Sequence, residues 1–181
     1  MTNLYIGLMS GTSIDGIDAV AASFDQGQFK LVGSYSQTIP EQLKQDIQNL
    51  CQPGIDRVQL YAETDQLMGE LFAEACLGLM AELGLTADQI AAIGSHGQTV
   101  RHSAPGQGNI SFSQQIGDPN IIAARTGCAV VADFRRKDMA LGGHGAPLVP
   151  AFHKTLFSCA QTNRVIANIG TDITPSRIVL D

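Results

Sequence analysis

The chain has 181 residues, 44% of them hydrophobic and 15% charged, which is typical of a folded domain and not of a disordered tail. Its formal net charge of −6 argues against nucleic acid or an anionic membrane surface as the main partner. No apolar run approaches the length of a membrane span and the first residues lack a charged leader with an apolar core, so we expect a cytoplasmic protein.

The first predicted element is a β-hairpin with an unusual turn. Apolar runs at residues 4–9 and 17–24 flank a turn at 10–16 that carries three hydroxyls and two glycines. Backbone N–H groups in such a turn can converge on an anion. Asp15 and Asp18 would repel a bare phosphate, but they suit a phosphate that carries Mg²⁺. An ordinary hairpin with a loose turn is the alternative, and the composition leaves both interpretations open.

A third strand at residues 29–36 and two helices are predicted next. The first helix opens at Pro40, and the second runs from a cap at Asp56 to Gly84, where glycine can adopt the left-handed conformation that ends a helix. An apolar stripe on the second helix is expected to face the core: Leu60, Leu67, Leu71, Ala75 and Leu79.

Two short, apolar, buried strands are predicted at residues 91–95 and 129–132, and polar residues follow each of them. A further strand at 110–116 and a helix from Asp118 to Gly127 lie between the two. Polar side chains at the ends of buried strands are a usual place for a site in an α/β sheet. The candidates are His96, Gln98, Thr99, Asp133, Arg135 and Arg136.

The element order β-β-β-α-β-α-β predicts an α/β fold of the ribonuclease-H-like (actin-like ATPase) type, with a mixed five-stranded sheet flanked by helices. We expect residues 1–158 to form this first lobe and residues 159–181 to supply the opening strands of a second lobe. The four cysteines include no C-x-x-C pair and the four histidines have no H-E-x-x-H spacing, so a zinc framework is not predicted.

Five motifs together resemble the anhydro-N-acetylmuramic acid kinase family, and they occur in family order over nearly the whole chain. They are residues 7–18 (GLMSGTSIDGID), 93–99 (IGSHGQT) with His102, 115–118 (QIGD), 131–138 (VADFRRKD) and 142–153 (GGHGAPLVPAFH). The first and last of these are long and specific, whereas each of the others would be weak alone.

The resemblance implies an enzyme of the actin and sugar-kinase superfamily that uses ATP and Mg²⁺. Such an enzyme cleaves the 1,6-anhydro ring of anhydro-N-acetylmuramate, a cell-wall recycling product, and phosphorylates O6 to give N-acetylmuramic acid 6-phosphate. Two lobes would close over the substrates, and a homodimer would be expected.

The resemblance also assigns roles to residues of this chain. The strand-end candidates His96, Gln98, Thr99, Asp133, Arg135 and Arg136 would line the sugar pocket, and Asp15 and Asp18 would reach Mg²⁺ through water. ATP phosphates would lie on the hairpin turn, at Gly11, Thr12, Ser13, Ile14, Asp15, Gly16, Ile17 and Asp18.

Two departures from the family pattern matter. The family's catalytic Asp lies in a G-x-D-x-G-P motif that is absent here, and residues 168–175 read NIGTDITP where the family has N-I-G-G-I-A-N-I. We therefore expect a first lobe with little or no kinase activity by itself and leave its catalytic residue unassigned. One alternative is a non-catalytic nucleotide- or sugar-binding lobe. The other is a hydrolase using Ser95 and His96, although adjacent strand residues point to opposite faces.

Overall fold

The computed structural model describes residues 4–25, 28–53, 57–159, 161–162, 164–169 and 173–178. A three-stranded antiparallel meander comes first: β1 (Leu4–Ser10), β2 (Gly16–Asp25) and β3 (Gln28–Thr38). The middle of the chain holds α1 (Glu41–Cys51), α2 (Val58–Leu83), a 3-10 turn (Ala87–Gln89) and the long strand β4 (Ile90–Ser103).

The remaining elements are shorter. They are β5 (Phe112–Ile116), α3 (Pro119–Thr126), β6 (Val130–Ala132), α4 (Arg136–Ala140), α5 (Val149–Phe157), β7 (Arg164–Ile169) and β8 (Ile173–Ile178). The last two strands pair with each other in a separate two-stranded sheet. The domain boundary that we expect at about residue 158 remains a prediction. Within the described ranges, no helix combines the length and the apolarity that crossing a bilayer requires.

Six strands form the main sheet. Its order is β3-β2-β1-β4, and β4 then pairs with both β5 and β6. Strands β1, β4 and β6 are parallel, whereas β2, β3 and β5 are antiparallel to their neighbours. Without β5, this order and these directions are those of the ribonuclease-H-like fold, which confirms the predicted class. The sheet has six strands where five were predicted, because β4 continues past β1 and its last residues pair with β5.

One face of the sheet packs against the helices. Alternate residues of the central strands, such as Ile6, Ile17 and Ile93, meet Ile47 of α1 and Phe72 of α2 in a core where each of these side chains is at most 1% exposed. The period of two along each strand places their neighbours on the opposite face. That opposite face carries a row of aromatic contacts that reaches α5: Tyr5, Phe24, Phe29 and Phe152.

Local sequence signals predicted the helix ends well. The Asp118 side chain accepts a hydrogen bond from the N–H of Asn120 and so caps α3, and Gly127 ends that helix at a φ of 71°. Gly84 ends α2 in the same left-handed conformation. The predicted cap of α2, Asp56, lies outside the described residues.

Two burial predictions were wrong. Leu67 is 53% exposed, because the buried face of α2 is centred one residue later and runs through Met68 and Phe72. The strand predicted at 129–132 is β6, and its Val131 is 55% exposed, since β6 pairs only with β4 among the described strands and lies at the sheet margin.

The topology brings the predicted site segments to one edge of the sheet. Parallel pairing places Ser10, the last residue of β1, beside Gln98 of β4, and places Ser95 beside Ala132, the last residue of β6. The hairpin turn after β1 and the polar residues after β6 therefore leave the sheet at the same edge, next to the middle of β4. The N-terminal half of α2 also reaches this edge, because α2 ends just before β4 begins.

Candidate functional site

A buried pair of polar side chains anchors the hairpin turn. Ser10 Oγ lies 2.9 Å from the carbonyl oxygen of Gly16 and 2.6 Å from Oε1 of Gln98, so its single proton is shared between two acceptors. Gln98 in turn donates through Nε2 to the carbonyl oxygen of Thr99. Ser10 and Gln98 are 2% and 1% exposed. Gln98 therefore supports the turn through its hydrogen bond with Ser10. Its buried side chain does not reach the surface where a sugar would bind.

Ile14 gives the turn its shape. The N–H of Ile14 donates to the carbonyl oxygen of Gly11 at 3.2 Å, and Ile14 itself has a φ of 56°. A β-branched residue in this left-handed region is an outlier that costs of order 1–3 kcal/mol and persists where surrounding contacts hold it. Its side chain is buried, as is that of Ile17, and this packing offsets the strain. Successive backbone N–H groups in a turn can converge into an anion-binding concavity.

The two carboxylates of the turn region are both exposed. Ser13 Oγ donates to Asp15 Oδ1 at 2.9 Å and lowers the pKa of that carboxyl from its usual value. Ser36 Oγ donates to Asp18 Oδ1 at 2.8 Å. Among the described residues, no three His, Cys, Asp or Glu side chains come together as a protein-held metal ion would require. Two exposed carboxylates suit Mg²⁺, because this ion keeps several waters and shares its remaining ligands with substrate phosphates.

Arg135 connects β4 to the glycine-rich segment at 142–146. Its guanidinium lies 3.0 Å (Nε) and 2.7 Å (Nη2) from Nε2 of His96, and its Nη1 donates to the carbonyl oxygen of Gly145 at 2.7 Å. Asp138 holds the same segment from the other side by accepting from the N–H of Gly145 at 2.8 Å. His96, Arg135 and Asp138 thus fix the path of this segment at the edge of the sheet.

The contacts of His96 define its tautomer. Nδ1 lies 2.9 Å from the carbonyl oxygen of Gly97 and must carry the proton, which leaves the Nε2 lone pair to accept from Arg135. Burial lowers the pKa of His96, and the nearby Arg135 charge lowers it further, against the opposing effect of the Gly97 bond. Burial also lowers the pKa of Arg135. The ring is thereby kept neutral beside a cation.

Asp133 and Arg136 form an ion pair just beyond β6. Arg136 Nε lies 2.6 Å from Asp133 Oδ2, and the two side chains are 64% and 39% exposed. Asp133 has a φ of 58°, a conformation that aspartate tolerates better than most residues, and it turns the chain sharply between β6 and α4. Thr99 is placed differently, because its hydroxyl accepts from Gln115 Nε2 at 3.1 Å and joins β4 to β5.

A cavity of about 190 Å³ lies at this edge, beside the core side of β4. Three of the predicted residues border it: His96, Asp133 and Arg136. Gln98, Thr99 and Arg135 do not border it. The structure therefore divides the predicted sugar residues into those that border this cavity and those that do not.

The cavity also has a wall that the sequence analysis missed. Tyr61 and Asp65 reach it from α2, and Gln114 and Gly117 from β5 and the segment after it. Asp65 Oδ1 accepts from the N–H of Gly117 at 2.7 Å, yet burial raises the pKa of this carboxyl. Asp65 lies four residues after Tyr61 and three before the buried Met68, which puts a carboxylate on the apolar face of α2. A carboxylate at that spacing is the sequence signal that could have revealed this wall of the cavity.

The Ser95–His96 hydrolase alternative gains no support from these contacts. Both ring nitrogens of His96 are engaged, by Gly97 and by Arg135, and neither contacts Ser95. A serine nucleophile needs a base within hydrogen-bond reach, and the described residues do not supply one to Ser95 Oγ.

Comparison with known proteins gives one consistent family. The family described as anhydro-N-acetylmuramic acid kinase matches residues 3–177. A relative of that name from Shewanella amazonensis is 55% identical over 168 residues, which are 93% of this chain and 45% of the relative. A second, from Photobacterium profundum, is 49% identical over 180 residues, which are 97% of this chain and 48% of the relative. The chain thus spans about half the length of the curated relatives it matches.

A solved structure, a ROK hexokinase from Thermus thermophilus, aligns with 99% of this chain and 47% of its own length, at a TM-score of 0.40 and 19% sequence identity.

Proposed function

The chain belongs to the anhydro-N-acetylmuramic acid kinase family, and we propose on that premise that it forms the first lobe of an ATP-dependent sugar kinase. The whole protein would open the 1,6-anhydro ring of anhydro-N-acetylmuramic acid and transfer a phosphoryl group to O6. The product would be N-acetylmuramic acid 6-phosphate, formed during peptidoglycan recycling in the cytoplasm, and the protein would act as a homodimer.

The observation that carries this proposal is the family match over residues 3–177. The geometry supports it, because phosphoryl transfer depends on positioning and on charge neutralisation and needs little covalent chemistry from the protein. A hydroxyl-rich turn, two exposed carboxylates and the Arg135 guanidinium at one edge of a sheet are the groups that such positioning uses.

Each part of this edge has a role in the proposed reaction. The N–H groups of the strained turn at 11–16 would bind phosphate oxygens, and the buried Ser10–Gln98 pair would keep that turn rigid. Asp15 and Asp18 would hold Mg²⁺ through water, and the ion would neutralise charge on the transferred group. On the sugar side, the two terminal nitrogens of Arg135 each have one N–H beyond the described contacts, and a carboxylate can accept both. The residue that activates water remains unassigned.

The phosphate role of the turn is tested in a half-exchange protein, in which this chain replaces the aligned part of the Shewanella amazonensis relative. Asp18→Asn keeps the shape of the side chain and removes its charge. We expect Mg²⁺-dependent turnover to fall by about 100-fold or more, in line with the loss of one electrostatic contact to a transition state.

Asp25→Asn is the matched control, because Asp25 is also exposed and lies at the far end of the same strand. The control should keep the parent rate. Parent-like turnover in Asp18→Asn would exclude the proposed metal role of this carboxylate.

A further inference from the structure

A second groove lies between the C-terminal end of α1, the N-terminal end of α2 and the last residues of β4. Its volume is about 400 Å³, within the range of about 300–1,000 Å³ that is usual for pockets that bind small molecules. Among the described residues, it shares only Tyr61 and Gln114 with the cavity beside β4. The rest of its wall includes two arginines and four apolar side chains: Arg57, Arg101, Leu50, Val58, Val100 and Phe112.

The two arginines are held together by the last turn of α1. Arg57 Nη1 donates to the carbonyl oxygen of Asn49, and Arg101 Nη2 donates to that of Gln52. The N–H of Gln52 in turn donates to the Asn49 carbonyl oxygen at 3.3 Å, so both acceptors belong to one turn. The carbonyl end of a helix carries partial negative charge and attracts cations. Each guanidinium is thereby fixed through one terminal nitrogen, and its other N–H groups have no acceptor among the described residues.

Arg101 also has a buried donor that the described part of the protein does not satisfy. Its Nε is buried and has no hydrogen-bond partner there. Leaving a buried polar group unpaired is costly, and more so when the group is charged, so such groups are usually paired with protein, water or ligand. Because Arg101 borders the groove, an acceptor on an occupant of the groove would complete this site.

The charges around the groove favour an anion as that occupant. No Asp or Glu is among the described residues that border it, and neither arginine forms an ion pair with a described carboxylate. Helix α2 begins beside the same groove, at Val58, with no side-chain cap and no acidic residue in its first turn. The partial positive charge at the start of this helix adds to the charge of the two guanidiniums. A local excess of positive charge thus lies on a chain whose formal net charge is −6.

The apolar part of the wall determines the rest of the ligand. Leu50 and Val100 form a buried floor, whereas Phe112 and Val58 are 46% and 74% exposed. A small hydrated anion would leave these two side chains in water. An anion that carries an apolar group would cover them, and removal of their apolar surface from water would favour binding. An aromatic ring suits this wall best, because it can also stack on Phe112 or Tyr61.

We propose that this groove, the arginine groove (Arg57, Arg101, Leu50, Val58, Val100 and Phe112), binds an organic carboxylate with an aromatic group. The carboxylate accepts from Arg101 Nε and from an N–H of Arg57, since guanidinium groups match the planar geometry of a carboxylate. The aromatic group packs against Phe112 and Val58. The inference does not rest on the proposed function, because neither arginine has a role in the proposed reaction.

The test is protein-observed NMR of the 181-residue chain at pH 7, titrated separately with 4-phenylbutanoate, 4-phenylbutanamide and acetate. 4-Phenylbutanamide has the same ring and chain without the charge, and acetate has the charge without the ring. We expect 4-phenylbutanoate to shift the amide resonances of Gln52, Val58 and Phe112, which border the groove. The other two compounds should bind at least about tenfold more weakly, since each lacks one of the two kinds of contact.

Three outcomes would overturn the proposal. They are equal affinities for 4-phenylbutanoate and either of the other compounds, no shift of the three groove resonances, and shifts confined to Ser95 and Gly97 of the cavity beside β4.

Arg101→Gln removes the charge and keeps a side chain that can donate to the Gln52 carbonyl oxygen. It should raise the Kd for 4-phenylbutanoate about tenfold or more, the value of a charged hydrogen bond. Arg125→Gln is the matched control, because it removes the same charge outside the groove, from a surface pair with Glu70. Arg57→Gln is measured in parallel, so that a second arginine tests the proposal if Arg101→Gln does not fold. An unchanged Kd in either folded variant would contradict the proposal.

Discussion

The guanidinium of Arg135 joins His96 on β4 to the carbonyl oxygen of Gly145. In the half-exchange protein, Arg135→Ala should raise the KM for anhydro-N-acetylmuramate about 10- to 100-fold, the range for a charged hydrogen bond, and should change the KM for ATP much less. Arg125→Ala is the control, since Arg125 pairs with Glu70 on the helical surface. Equal increases in both KM values would remove Arg135 from the sugar site.

His96 supplies a pH-dependent test at the same contact. Its pKa is lowered from 6.5 in the folded chain, by burial first and then by Arg135, so folding favours the neutral ring. A histidine whose pKa is lowered by folding stabilises the folded state at pH values above the ordinary histidine pKa. This stabilisation is lost as the pH falls through the pKa of the folded state. Protonation would also place a cation on the nitrogen that accepts from Arg135.

Thermal unfolding between pH 8 and pH 5 should therefore show that the Tm advantage of the parent over His96→Gln shrinks below about pH 6.5. Gln66→Ala is the control, because Gln66 is exposed and carries no titratable group. A pH-independent difference between the parent and His96→Gln would argue against a neutral His96.

At the scale of elements, the crossing of α2 and α3 depends on a glycine. A Cβ added at Gly69 would lie 3.1 Å from both the backbone N and the backbone O of Asp118. This backbone cannot easily retreat, because the Asp118 N–H donates to the carbonyl oxygen of Asp65 at 3.2 Å. Gly69→Ala should therefore lower the Tm, although alanine is favoured over glycine in a helix by about 1 kcal/mol.

Ala81→Gly measures the helix-propensity effect alone, since Ala81 is exposed near the end of the same helix. If propensity governed both sites, Gly69→Ala would raise the Tm by about as much as Ala81→Gly lowers it. That result would show that the helices can separate at no cost, against the close packing described above.

Sequence signals predicted those elements whose determinants are local. The hairpin, the Asp118 cap and the Gly84 and Gly127 helix ends depend on neighbouring residues, and all are found. The pairing of the last part of β4 with β5 depends on a distant segment, so the strand predicted at 110–116 was not assigned to the main sheet. The cavity beside β4 could not be predicted for the same reason, because α2, β4 and the segment after β5 bring its wall together only in the folded chain.

In the described residues, the candidate binding groups for the proposed reaction lie at one edge of the main sheet, and the chain spans 45% of the Shewanella amazonensis relative. We expect the 181-residue chain by itself to show little or no kinase activity, because a cleft with one wall leaves bulk water at the phosphate and weakens electrostatic stabilisation of the transition state. A coupled assay with ATP, Mg²⁺ and anhydro-N-acetylmuramate checks this. Turnover at an ordinary kinase rate, roughly 1–100 per second, would show that the chain is a complete catalyst.

We propose that this chain is an interchangeable first lobe of an anhydro-N-acetylmuramic acid kinase. The most direct measurement is ³¹P NMR of the reaction of the half-exchange protein with ATP, Mg²⁺ and anhydro-N-acetylmuramate, with the Shewanella amazonensis relative assayed in parallel. We predict N-acetylmuramic acid 6-phosphate as the product, formed at a rate within about tenfold of the relative's, a difference of about 1.4 kcal/mol in activation free energy. A folded half-exchange protein that forms no sugar phosphate, while the relative does, would contradict the claim.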